Sequence, residues 1–397
     1  MRLFRLSWLL LAAACSSTGP GASDSGNPNV PDLVPPHQIN NCDHLPSPGT
    51  WEQITPPGVS LPGPMGAAYG VNAVLLDPNH AGTVYLGTSQ QGIWKSTDCG
   101  STFIHVNVGT SGPKCGWDNK YCSQVLDTGR NWTMAADPID SDIIYSNSGF
   151  GMYTAGLLKS ENGGTDWRPI WPPQNVAADT YKGAPDFVGS MTLDPDDHLH
   201  IVIDFHENCS APHTPLCLAE TKDGGETWRI VDTDPAMGVF NAHDALHSIL
   251  DNGHTWLYTA NGSFWRTADS GASWNKVADL KFHSGVFHAP DKSMYIGCEY
   301  GIAHSTDGIT WSLMQSPGQL VSNLVSDGKS IFASNFAVCS DWDKDLHPYL
   351  SAPVAGGTFT PFASPGFTQG GALALDPDHR ILYSSNCQAG FWRTVLP

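Results

Sequence analysis

The chain alternates short apolar runs with polar turns and nowhere sustains a long helical period. Runs such as Thr83-Val84-Tyr85-Leu86-Gly87 and Ser293-Met294-Tyr295-Ile296-Gly297 are rich in β-branched, aromatic and small residues. Asp, Asn, Pro and Gly bound them, which is how strands are punctuated. An Asp-centred turn follows a first strand-like run at Asp77-Pro78, Asp137-Pro138, Asp194-Pro195, Asp251-Asn252, Pro290-Asp291, Asp327-Gly328 and Asp376-Pro377. Each leads into a second run, and a third follows, such as Gly92-Ile93-Trp94-Lys95-Ser96 or Ser263-Phe264-Trp265-Arg266-Thr267. Seven turns predict seven repeats of strand, turn, strand, loop, strand, turn, strand.

The turn after the third run has its own signature, Ser/Thr-x-Asp-x-Gly-x-Thr/Ser-aromatic. Copies begin at Ser96, Thr221 and Thr267, with Asp98, Asp223 and Asp269 at their centres. The copy at Ser160 carries Asn162 in place of Asp and Asp166 in place of Thr, and the copy around Asp307 is one residue shorter. An Asp or Ser side chain can bond nearby backbone N–H groups, and Gly supplies the positive φ of a tight turn. The motif resembles the Asp-box, or BNR, repeat of sialidases, xyloglucan hydrolases, sortilin-type receptors and some propeller polysaccharide lyases. That resemblance implies a structural role for Asp98, Asn162, Asp223, Asp269 and Asp307, on hairpins between third and fourth strands and away from any active face. It does not imply a reaction, because propellers host unrelated functions.

The chain ends on a third strand, Gly390-Phe391-Trp392-Arg393-Thr394-Val395. Gly49-Thr50-Trp51-Glu52-Gln53-Ile54 matches the outer strands elsewhere and is expected to supply the missing fourth. The expected fold is all-β: a single seven-bladed β-propeller of four-stranded antiparallel blades over residues 49–397, closed by this N-terminal strand. Closure leaves only short edges, and each interface between blades is expected to be its own small core.

Residues 1–14 hold Arg2, Arg5 and an apolar run, which reads as a signal peptide. Cys15 follows, then a Ser/Gly/Pro/Asn-rich stretch, so 15–48 is expected to be a lipidated, flexible tether and N-terminal extension. The expectation is an exported protein, either a cell-envelope lipoprotein lipidated at Cys15 or a secreted one. Export suits disulfides. Cys115 with Cys122 and Cys209 with Cys217 are close enough in sequence to staple their own loops, whereas Cys42, Cys99, Cys298, Cys339 and Cys387 are left unassigned. The formal charge is −19, which argues against nucleic acid and leaves a membrane reachable only through the lipid. A monomer acting on a poly- or oligosaccharide is expected.

Loops longer than a connection needs are usually functional. Here they are 106–131, 146–156, 171–187, 203–217 and 333–348. They point to a catalytic set of Arg130, Tyr153, His206 and His243. Around it, Trp117, Lys120, Asp127, Tyr181, Glu207, Asp244, Glu299, Tyr300, Asp341 and Trp342 are candidate substrate contacts. The arginine triad of sialidases has no counterpart, since only Arg130 falls on the long-loop face. The expected reaction is β-elimination at a uronate-containing glycan, with His or Tyr moving protons and Arg130 neutralising the carboxylate. The alternatives are glycoside hydrolysis by paired carboxylates among Asp127, Glu207, Asp244, Glu299 and Asp341, and a non-catalytic glycan- or protein-binding propeller. No cofactor is required by these readings, and a structural or catalytic Ca²⁺ is left open.

Overall fold

A computed structural model describes residues 36–397 without 65, 67–68, 116–117, 152–155, 175, 178, 241–244, 251–252, 281, 290–291, 315–319, 336–347, 355–356 and 363–371. Seven four-stranded antiparallel sheets follow one another along the chain, and together they form a seven-bladed β-propeller. Blade one is built from Gly70–Leu76, Val84–Ser89, Ile93–Ser96 and Ile104–His105. Blade two comprises Met134–Ala136, Ile143–Ser148, Gly156–Glu161 and Arg168–Trp171. Blade three comprises Val188–Leu193, Ile201–Phe205, Cys217–Thr221 and Arg229–Asp232.

Blade seven is assembled from both ends of the chain. Ala372–Asp376, Ile381–Ser385 and Phe391–Val395 supply three strands, and Glu52–Gln53 supplies the fourth. Glu52 lies opposite Arg393, and Gln53 opposite Trp392. Arg393 is only 2% exposed. Its guanidinium bonds Glu52 at 3.0 Å, the carbonyl of Cys99 at 2.7 Å and the carbonyl of His44 at 3.0 Å. One side chain thus gathers the closing strand, the first blade and the N-terminal segment.

That segment begins inside the stretch expected to be a tether. Gln38–Ile39 pairs in parallel with His80–Ala81. Cys42 is disulfide-bonded to Cys99, a pairing the spacing did not suggest, with Cα atoms 5.4 Å apart. The two expected staples are present as well, Cys115–Cys122 and Cys209–Cys217. Cys298 is a buried free thiol, and Cys387 is disulfide-bonded to a partner outside the described residues.

Each pair of adjacent blades shares a hydrophobic cluster, as a ring of separate small cores requires. Tyr145, Leu157 and Trp171 of blade two pack on Val188, Ile201 and Phe205 of blade three. Tyr85 and Ile93 of blade one meet Ile144 and Leu158 of blade two, and Val71 and Leu86 meet Ile381 and Tyr383 of blade seven. The aromatic that ends each turn motif enters the cluster shared with the preceding blade: Trp167, Trp228, Trp274 and Trp311 all do so.

The motif itself is a closed hydrogen-bond unit. Ser96 Oγ donates to Asp98 at 2.8 Å and accepts from Gly100 N at 2.8 Å. The Asp98 carboxylate accepts from Thr102 N at 2.8 Å and Thr102 Oγ1 at 2.7 Å. The variant keeps the geometry by swapping chemistry, since Asn162 Nδ2 donates to Asp166 at 3.1 Å while Asn162 Oδ1 accepts from Asp166 N at 2.8 Å. Backbone N–H groups of Thr310 and Ile309 hold the Asp307 carboxyl down to about 2. These hairpins leave third strands, so they lie on the face opposite the loops that join second to third strands.

On the hairpin side, the buried Asp of a first turn also reaches the next blade. Asp77 accepts from Ser141 Oγ at 2.8 Å, Asp137 meets His198 Nδ1 at 2.7 Å, and Asp376 accepts from Gly82 N at 2.7 Å. In blade three, His200 lies between Asp194 at 2.7 Å and Glu220 at 2.9 Å, all three buried. Burial disfavours the charged ring, but bonds to Glu220 and Asp194 outweigh it and raise its pKa.

Two outcomes follow. Arg393→Leu leaves the His44 and Cys99 carbonyls without their donor and should lower the unfolding free energy by about 3 kcal/mol. Glu52→Gln, at a half-exposed partner, should cost less than about 1 kcal/mol, both read by urea denaturation. For His200 the folded pKa exceeds the unfolded value near 6.5, so its contribution is present below that pH and is lost as pH rises through the raised pKa. Wild type should therefore lose more stability than His200→Gln between mildly acidic and mildly alkaline buffer. Parallel stability–pH curves for the two proteins would contradict this.

Candidate active site on the long-loop face

The expected site residues divide into those the structure places and those it does not. Trp117, Tyr153, His243, Asp244, Asp341 and Trp342 lie outside the described residues, as does Cys15. Arg130 and His206 are described, and the structure brings them together. Arg130 precedes the first strand of blade two, and His206 follows the second strand of blade three, so both lie on the long-loop face.

They belong to an aromatic box assembled from blade entries and second-to-third loops. The His206 ring stacks on Phe187 at 4.8 Å with a 23° interplanar angle. Phe150 meets it edge-on at 4.9 Å, Phe240 lies at 4.9 Å and Trp132 at 6.0 Å. The Arg130 guanidinium sits 5.7 Å from the Trp132 ring centre. Trp132 Nε1 donates to Gly189 O at 2.8 Å, which locks the indole in place. Gly149 makes the packing possible, because a Cβ there would come within 2.1 Å of the Phe187 ring. Phe150, next in the chain, is held at φ 49°, in the left-handed region that a bulky residue rarely occupies.

The box sets the electrostatics of both groups. Desolvation lowers Arg130 to about 10, which still leaves it a cation at neutral pH. Desolvation is also the main reason the His206 pKa falls below its ordinary value; Arg130 adds to the fall and Glu207 opposes it. The imidazole is therefore neutral at neutral pH.

A cavity of about 400 Å³ opens beside the box, in the loop from the last strand of blade two to the first of blade three. Trp171, Pro172, Val176, Tyr181, Lys182 and Asp186 line it. Tyr181 packs on Trp171 at 5.2 Å and accepts a hydrogen bond from Trp228 N at 3.3 Å. The stapled loop of blade three braces the other side: Ser210 N donates to Gly183 O at 2.7 Å, and Cys209 is bonded to Cys217. Asp186 stands at the rim, where desolvation raises its carboxyl pKa. Sequence reading flagged this loop and Tyr181 but passed over Asp186, an isolated acid among Ala, Pro and Gly. Its place directly before the Phe187-Val188 strand start was the available signal.

The other expected contacts are dispersed. Asp127 accepts from His105 Nε2 at 2.9 Å and Asn107 Nδ2 at 2.8 Å. Lys120 pairs with Asp118 at 3.5 Å. Glu207 is exposed next to His206, and Glu299 and the exposed Tyr300 stand on blade five. Cys42, Cys99 and His379 lie within 4.8 Å of one another; the two sulfurs form the disulfide, so this group belongs to the closing seam. Among the described residues no helix is long and apolar enough to cross a membrane.

No family model matches the chain. A curated relative, the probable oligoxyloglucan-reducing end-specific xyloglucanase of Neosartorya fischeri, is 24% identical over 245 residues, covering 54% of this chain and 28% of that protein. The matched part is thus little more than a quarter of the relative's length. Among solved structures, the GH74 xyloglucanase of Xanthomonas campestris aligns at 16% identity and TM-score 0.52, over 87% of this chain and 53% of that one. YCF48 bound to D1 peptide aligns at 12% identity and TM-score 0.57, over 90% of this chain and all of that one. The extracellular domain of a putative hybrid two-component system of B. thetaiotaomicron aligns at 11% identity and TM-score 0.56, over 82% and 40%. These structural likenesses show the propeller fold.

The electrostatics of the box predict a measurement. The His206 ring should stay neutral in NMR titration at pH values where exposed imidazoles protonate, and its pKa should rise in Arg130→Gln. An ordinary His206 titration, unmoved by that substitution, would contradict the described box.

Proposed function

We propose that this chain is an exported, carbohydrate-active propeller that hydrolyses glycosidic bonds at the cavity between blades two and three. The observation that carries the reading is Asp186, a carboxyl of raised pKa at the rim of an aromatic-walled cavity on the long-loop face. A carboxyl whose pKa is raised above the ordinary range is better suited to protonate a departing glycosidic oxygen than an unperturbed one. Tyr181, half-buried over the fully buried Trp171, offers a ring edge or face for a sugar, and the exposed Lys182 offers a donor for its hydroxyls. The similarity to a xyloglucanase supports hydrolysis over the elimination first expected. Neither Arg130 nor His206 lines the cavity, so the geometry that elimination relied on stands beside it rather than in it.

One observation favours the non-catalytic alternative. Among the described residues that line the cavity Asp186 is the only carboxylate, and a hydrolase of this kind needs a second as base or nucleophile. The described residues supply no partner for it there.

The test is incubation with a panel of neutral and uronate-containing oligosaccharides. New reducing ends without ultraviolet absorbance from an unsaturated product are expected. Asp186→Asn should lower the rate by about 10²–10⁴-fold, the usual worth of general acid catalysis, with an unchanged melting temperature. Activity should fall as pH rises through the raised pKa, because the acid must be protonated to act. Unsaturated products would restore elimination. Binding without turnover of any glycan would make the protein a non-catalytic propeller.

A further inference from the structure

The cavity and the aromatic box share a backbone. Asp186 lines the cavity, and Phe187, the next residue, is the ring on which His206 stacks. Their Cα atoms are ~3.8 Å apart, as for any trans-linked neighbours. The cavity and the box therefore adjoin through this backbone as one strip of the loop face.

Phe150 is the most exposed ring of the box. It is 47% exposed although it belongs to an aromatic cluster, and it is held at positive φ. Bulky residues take that conformation only when the surroundings impose it, and such positions gather at ligand sites. The surroundings here are specific: Gly149 lets Trp132 and Phe187 close behind it, and Gly149 N and O pair with Arg130. Two more apolar residues are exposed nearby in the chain, Val176 in the cavity lining and Val239 directly before Phe240 of the box.

We infer that the substrate is an extended oligosaccharide rather than a single sugar or disaccharide, with a sugar ring beyond the cavity seated on Phe150. The inference rests on the carbohydrate reading of the cavity and adds to it a second subsite with a named residue. A sugar fits this surface because its ring presents an apolar C–H face to an aromatic ring and keeps its hydroxyls in water. The alternation of a polar cavity with an aromatic platform matches a chain of such rings. Phe150 is a specificity-determining residue, acting on how long a chain is held and not on the bond-breaking step.

The experiment is calorimetric binding of a graded oligosaccharide series, from disaccharide to hexasaccharide, to full-length Asp186→Asn, in which chains stay intact. Affinity should rise with length, by about tenfold or more between the ends of the series. Adding Phe150→Ala should weaken the hexasaccharide about tenfold more than the disaccharide, and Phe150→Trp should retain the length dependence. Phe150→Gly removes the platform but accepts the backbone conformation, so it should lose the same length dependence, with a cooperative unfolding transition showing that the protein is still folded. That variant guards against misfolding as the explanation. Affinity independent of length, or equal weakening of short and long chains, would overturn the inference and leave the cavity reading intact. Failure of every glycan to bind would overturn both, and binding of extended peptides instead would make the strip a peptide surface.

Discussion

A ring of blades has one seam, and everything on its faces depends on that seam holding. Here the seam is closed by two residues of strand, Glu52 and Gln53, laid against Arg393 and Trp392. So short a strand offers few ladder bonds. The buried Arg393 supplies what they do not, by fixing Glu52, the Cys99 carbonyl and the His44 carbonyl at one point. The Cys42–Cys99 bond clamps the same corner covalently and limits how far the opened chain can spread. Around the rest of the ring the same problem has a repeated solution. Turn carboxylates reach into the next blade, and motif tryptophans fill the cluster behind it.

These devices lie on the hairpin side, which leaves the opposite face free to vary. On that face the loops around blades two and three exceed the length of a connection, and each is braced. A disulfide staples the blade-three loop, its Ser210 ties down Gly183, and Gly149 lets Phe187 and Trp132 close in beside His206. A rigid ring with one braced face suits a site that must hold its groups in fixed positions. The raised carboxyl of Asp186, the neutral ring of His206 and the strained Phe150 backbone all occur within this one region. Perturbed groups and strained residues cluster where function constrains them.

The fold was legible because its signals are local and repeated. Asp98, Asp223 and Asp269 announce their hairpins within eight residues of sequence, and the truncated last repeat made Trp51-Glu52-Gln53 the natural closing strand. Short-range disulfides were legible for the same reason. Cys42 and Cys99 were not, since 57 residues separate them and only the path of the N-terminal segment brings them together. The site was legible as a set of loops but not as a constellation. Arg130, Trp132, Phe150, Phe187, His206 and Phe240 come from several blade entries and loops, and no spacing in sequence encodes their convergence. Asp186 escaped because its importance lies in desolvation by neighbours, which composition does not reveal. The elimination reading gave weight to residue types on the face; the structure gives weight to which of them share a cavity.

The central claim is that the loop face of blades two and three is where a glycan binds, on a ring held rigid from the other side. Hydrogen–deuterium exchange of the intact protein, with and without a saturating oligosaccharide, tests it most directly. The account predicts added protection in peptides covering residues 146–151 and 171–187, with none in the hairpins around Asp98, Asp223 and Asp269. Protection confined to the hairpin face, or to loops of the remote blades alone, would contradict it.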